Sequence, residues 1–126
     1  MIRIFQQTSH DVMLSMSIDD CEHLANVLAE LHMVGEPISW TIYANSRVLG
    51  FKRPKKIELT LRCAEVDRLH KKDDQLYWDL ELDTIDQLRS RLDGAIEKGQ
   101  FIPAELIATK GRRGEWLRLY AEVTPD

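Results

Sequence analysis

One stretch constrains the fold of this chain more than any other. In YWDLELDTIDQLRSRL the apolar period changes from two to about 3.6 within a few residues. Leu76, Trp78, Leu80 and Leu82 alternate with Tyr77, Asp79, Glu81 and Asp83, a half-buried strand. Ile85, Leu88, Leu92 and Ile96 then recur at helical spacing, with Asp83 or Thr84 as the expected cap and Gly99 as the stop. A chain that makes this switch must pack helix against sheet. It makes the switch twice: MLSMSIDDCEHLANVL reads the same way, at an offset of about 64–66 residues. Shared capping chemistry could produce this likeness, so an internal ββαβ duplication stays open.

The same reading extends along the chain. Ile2–Gln6 alternates as a short strand, Thr8–Asp11 is a polar turn, and Val12–Ile18 alternates again. Ser17 or Asp19 caps the first helix, whose stripe is Ile18, Cys21, Leu24, Ala25, Leu28 and Leu31, stopped by Gly35 and Pro37. Ile38–Tyr43 is a third strand. Residues 45–56 form a long connection with a short strand at Val48–Phe51. Ile57–Cys63 alternates, with a bulge expected after Ala64, and Leu69–Asp74 reads as a charged turn. Phe101–Thr109 is a strand weakened by Pro103, 110–114 is a turn, and Leu117–Val123 is the last strand. The fold expected is α+β: a mainly antiparallel sheet of six to eight strands with two helices on one face, in a single domain spanning 1–126.

Composition narrows the function classes. Seventeen basic and 21 acidic residues give a net charge of −4, which argues against a general nucleic-acid coat. Cys21 and Cys63 lie in apolar patterns with no partner at zinc spacing, so both read as small buried hydrophobes. The start of the chain lacks a charged leader followed by an apolar run of about 7–15 residues, and no run approaches the roughly 18 residues that span a bilayer. The expectation is a cytoplasmic protein without membrane contact.

Catalytic patterns are weak. Ser9, His10 and Asp11 have the residue types of a nucleophile triad, but sequence neighbours cannot converge as its relay requires. Asp19 and His23 share a helix face without a third metal ligand, and His10, His32 and His70 lie elsewhere. Asp79, Glu81 and Asp83 share a strand face at about 6.6–6.8 Å intervals, a spacing glycosidase pairs use. A cross-strand ion pair of Arg62 with Asp79 or Glu81, formed through a hairpin at Leu69–Asp74, explains them more simply. Gly50, Gly111 and Gly114 match no phosphate-loop pattern. No catalytic residue, metal site or cofactor is expected.

Two surfaces remain. Three basic stretches stand out: Arg47–Lys56, Arg68–Lys72 and Lys110–Arg113. If each helix reverses the chain, the first and third share one end with the acidic helix starts (Asp19, Asp20, Glu22, Asp83, Asp86), and Arg68–Lys72 lies at the other. That end would carry mixed charge. The second surface is the outer sheet face, where Tyr43, Tyr77, Trp116 and Tyr120 fall on the polar phase beside Asp79, Glu81 and Arg118. Tyr, Trp and Arg dominate binding hot spots. The reading is a non-catalytic protein-binding module, most concretely an immunity-type or antitoxin-like inhibitor that occludes a partner enzyme such as a toxin, through Tyr43, Tyr77, Asp79, Glu81, Trp116, Arg118 and Tyr120. A homodimer through this face stays open. The alternative is a nucleic-acid-binding accessory protein using Arg53, Lys55, Lys56, Arg112 and Arg113.

Overall fold

The computed structural model describes residues 1–45 and 47–125. Its elements are β1 (Arg3–Gln6), β2 (Asp11–Met16), α1 (Ile18–Val34), β3 (Ile38–Ala44), β4 (Lys55–Cys63), β5 (Arg68–Lys72), β6 (Gln75–Leu80), α2 (Leu82–Lys98), β7 (Glu105–Lys110) and β8 (Trp116–Val123). The strands close into one barrel in the order β1-β2-β8-β7-β5-β6-β4-β3, with β3 returning to β1.

This corrects the expected open, mainly antiparallel sheet with helices on one face. The hairpins β1·β2, β3·β4, β5·β6 and β7·β8 are antiparallel, whereas β1·β3, β2·β8, β4·β6 and β5·β7 are parallel. Alternation reports which side chains face the core. It is silent on whether neighbouring strands run the same way, and on whether the first strand meets the rest of the sheet again. Closure leaves no free sheet edge. Each half is a hairpin, a helix and a hairpin, and the pairing pattern is unchanged when the halves are exchanged. The repeating unit is therefore ββαββ, not ββαβ.

Odd-numbered strands run one way and even-numbered strands the other. The hairpin turns at 7–10, 47–54, 73–74 and 111–115 consequently share one end of the barrel, here the turn end. The other, the helix end, receives both ends of each helix. Each helix therefore lies across that end and does not reverse the chain, and the two helices pack on each other there. This corrects the expected charge placement: the acidic helix starts sit opposite Arg47–Lys56 and Lys110–Arg113. Arg68–Lys72 is β5, not a turn, and it runs toward the turn end. Its single inward apolar residue, Leu69, gave no visible alternation.

The barrel interior is filled by Ile4, Leu14, Ile42, Leu59, Leu76, Trp78 and Leu119, with Leu24 entering from α1, around a cavity of only about 10 Å³. Val48 and Phe51 also reach the core, bridged to each other, so the long β3–β4 connection is anchored from within. A bulge occurs at Glu105/Ile107 and not after Ala64, and β7 starts beyond Pro103.

Local chemistry fixes the first helix. The Ser17 hydroxyl accepts from the Asp20 N–H and the Asp20 carboxylate accepts from the Ser17 N–H, both at 3.1 Å, a reciprocal capping box. Gly35 closes the helix at φ 80°, a conformation that favours glycine. Ser17→Ala is expected to cost about 1 kcal/mol, read as a lower urea midpoint at unchanged slope. The second helix starts one residue after Glu81, which makes no side-chain cap bond. Asp67 supplies that cap from the β4–β5 connection: Oδ1 accepts from the Glu81 N–H at 2.8 Å and Oδ2 from the Thr84 hydroxyl at 2.6 Å.

Candidate functional site

Barrel closure disperses the residues expected to form one binding face. Tyr43 is on β3, Tyr77 and Asp79 on β6, and Trp116, Arg118 and Tyr120 on β8. One strand separates β3 from β6, and two separate β6 from β8 and β8 from β3. On a convex closed wall no flat partner meets all three sets. Glu81 leaves the wall altogether, because it stands at the start of α2.

Most of these side chains already have partners. Arg62 grips Asp79 with Nε to Oδ1 at 2.7 Å and Nη2 to Oδ2 at 3.2 Å, a two-point pairing. His70 Nε2 lies 3.4 Å from Asp79 Oδ2, and Tyr77 lies under the Arg62 guanidinium at 4.3 Å and stacks with His70 at 5.7 Å. Arg62 thus pairs with Asp79 as one expected option, but across parallel strands β4 and β6 instead of through a hairpin. Arg3 covers Tyr43 at 4.8 Å. Arg118 Nε meets Asp11 Oδ1 at 2.7 Å. The Thr8 hydroxyl does most to hold the Asp11 carboxyl below its usual range; burial opposes it and Arg118 adds to it. That contribution to stability is present above the ordinary carboxylate range and is lost as pH falls through the lowered value. Trp116 is different: it remains 59% exposed, with the Lys110 ammonium 3.9 Å over its ring.

The residues of the weak catalytic patterns make the following contacts. Asp11 serves Thr8 and Arg118, and His10 Nδ1 lies 3.2 Å from the Trp116 carbonyl. His23 packs edge-on against Trp40 at 5.5 Å. Burial, then Asp20 and Glu22, push the Cys21 thiol up to about 11. Among the described residues no group of three potential metal ligands occurs, and no helix is long and apolar enough to cross a membrane.

The helix end carries a surface that sequence reasoning missed. Met33 (85% exposed), Val34 (61%), Val66 (56%) and Leu82 (53%) are large apolar residues left in water. They sit on segments tied together: Cys63 Sγ donates to the Leu31 carbonyl at 3.5 Å, the Ala64 N–H to the Leu80 carbonyl at 2.9 Å, and His32 lies 3.7 Å from Asp86. The end of α1, the β4–β5 connection and the start of α2 therefore converge. Exposed Glu30, Glu36, Glu65, Glu81, Asp83 and Asp86 lie on the same segments. The acids at the start of α2 suit the positive end of its dipole. A signal existed for Met33, which falls off the Cys21–Leu31 stripe just before Gly35; Val34 continues the stripe's spacing of three from Leu31 and gave none. Leu82 and Val66 gave none, being absorbed into an expected strand and bulge.

The turn end gathers the basic stretches. Arg112 and Arg113 line a recess of about 380 Å³ with Lys71 and Leu49, and Arg53 and Lys55 line an adjoining depression of about 290 Å³. Lys55 is paired with Asp74 at 3.0 Å, and Lys56 stands on β4 opposite Tyr43. The sequence-derived basic set is thus largely brought together, and the aromatic set is not. Comparison with protein-family models, curated proteins and solved structures finds no match for this chain.

Proposed function

We propose that the chain is a non-catalytic protein-binding module whose helix end docks a basic partner protein, in the manner of an immunity-type or antitoxin-like inhibitor that occludes an enzyme. The observation that carries this reading is the apolar group Met33, Val34, Val66 and Leu82 set among exposed carboxylates. Docking would remove these side chains from water at about 25 cal/mol per Å² of apolar area. The surrounding acids would raise the encounter rate with a basic surface and disfavour acidic competitors. Inhibition would be steric, since occlusion of a catalytic surface needs no chemistry from the occluding protein. The class of partner, an enzyme such as a toxin, rests on analogy among small inhibitors and not on a motif.

Affinity capture from source-cell extract tests this with three baits: the native chain, Met33→Lys/Leu82→Lys, and Arg112→Ala/Arg113→Ala. The expected result is an identified basic protein whose activity the purified native chain inhibits. Its affinity should fall about 100-fold or more for the helix-end variant and stay unchanged for the turn-end variant, as loss of a buried anchor pair implies. Partner binding indifferent to Met33→Lys/Leu82→Lys would overturn the reading. So would sedimentation showing a dimer of this chain that the same variant dissolves.

A further inference from the structure

We propose that the turn end is a second and independent surface, which binds single-stranded nucleic acid with Trp116 as a platform for a base. Charge segregation is the first support. The acidic helix starts lie at the far end of the barrel, so the net charge of −4 does not describe this end. The second support is shape. The recess of about 380 Å³ adjoins depressions of about 290 Å³ and 440 Å³, and Gly50 lines all three. Gly50 stands at φ 93°, a conformation that favours glycine, and a Cβ there would come within 3.2 Å of the flexible Lys71 side chain.

A connected depression suits an extended anion better than a compact one. Its walls present Arg47, Lys52, Arg53, Lys71, Arg112 and Arg113. Two acidic groups of the lining partly offset them: Glu115, whose carboxylate lies against Gly111 and accepts from the Arg113 N–H at 3.4 Å, and Asp74, which pairs with Lys55. Exposed Asp73 and the Arg118-paired Asp11 stand at the same end outside that lining. Trp116 is the third support. It opens β8 at this same end, and its register partner Lys110 holds an ammonium 3.9 Å from the ring centroid, over one face, so a base takes the other face or displaces the ammonium. Trp116 does not itself line the depressions, but its chain neighbours Glu115 and Leu117 line the recess. An exposed indole next to a basic groove is a pairing by which proteins hold unstacked bases: backbone phosphates meet the cations, and a base lies on the ring. A duplex keeps its bases stacked inside and would leave Trp116 without a role.

The proposal predicts a salt dependence. If each of the six cations takes one phosphate, the slope of log K against log salt is about −4 for a single strand, or a loss of about 300-fold between 50 and 200 mM. The experiment is fluorescence anisotropy with labelled oligo-dT, oligo-U and a duplex of equal length, repeated across that salt range with folding checked by circular dichroism. Arg112→Ala/Arg113→Ala should flatten the slope by about 1.4. Trp116→Ala should weaken binding about 10- to 100-fold without changing the slope. Met33→Lys/Leu82→Lys should change neither, which separates this surface from the helix-end docking reading. No single-strand binding at 50 mM salt, equal affinity for the duplex, or a slope unmoved by the arginine variant would each overturn the proposal. Displacement of the strand by an equimolar mononucleotide would also overturn it, since that identifies a small-ligand site.

Discussion

Leu119→Ala is expected to destabilise the protein by about 4 kcal/mol, in the upper half of the range for buried leucine truncations. Leu119 is fully buried on β8, pairs with Val12 on β2 and Ile107 on β7, and lines the barrel interior. In an open sheet the wall could move inward and reclaim part of the lost contact. Here hydrogen-bonded neighbours hold β8 on both sides, and the ring has no free edge to relax from. The cavity should therefore persist, and its unfilled volume adds to the lost transfer energy. For a chain of this length that corresponds to a fall in Tm of about 15 °C. Leu82→Ala, at an exposed position, serves as the control and should change stability by less than about 0.5 kcal/mol. A Leu119→Ala cost near 2 kcal/mol would show that the wall collapses, contrary to a rigid closed barrel.

Asp67→Ala should cost about 2–3 kcal/mol, more than Ser17→Ala at the corresponding helix. Two losses add. The first turn of α2 loses the acceptor for the Glu81 N–H, and the buried Thr84 hydroxyl loses its partner. Neither can be replaced locally, because Glu81 makes no cap bond of its own. Asp67→Asn, which keeps an acceptor oxygen for one of the two bonds, should recover about half of the loss. Urea unfolding of the three variants beside the native chain gives the comparison. Equal costs for Asp67→Ala and Ser17→Ala would mean that the Thr84 hydroxyl finds another partner, or water, once Asp67 is gone.

The contrast between these two caps shows what could be read in advance. Ser17 acts on residues three positions away, so its role is local and visible in the string of letters. Asp67 acts on Glu81 and Thr84 across the end of the barrel, and nothing in its neighbourhood announces that. The same holds for the candidate surfaces. Tyr43, Tyr77 and Trp116 are correctly on the polar phase of their strands, because alternation is a local property. Their dispersal around a closed wall is not local, and neither is the pairing of Arg62 with Asp79 across parallel strands. Arg112 and Arg113 do share a recess with Leu49 and Gly50 of the β3–β4 connection, while the acids expected beside them lie at the far end. That difference turns on whether each helix reverses the chain or only crosses one end.

Local pattern was enough to place the strands with clear alternation, the glycines that stop both helices, and most of the side chains that face the core, with Leu82 an exception. Each of these follows from backbone sterics and hydrophobic period over a few residues. Parallel against antiparallel neighbours, closure of the sheet, the assignment of Arg68–Lys72 to a strand, and the separation of charge between the two ends came from long-range pairing alone. Those depend on which distant segments share hydrogen-bond ladders, and a ladder has the same side-chain period in either direction.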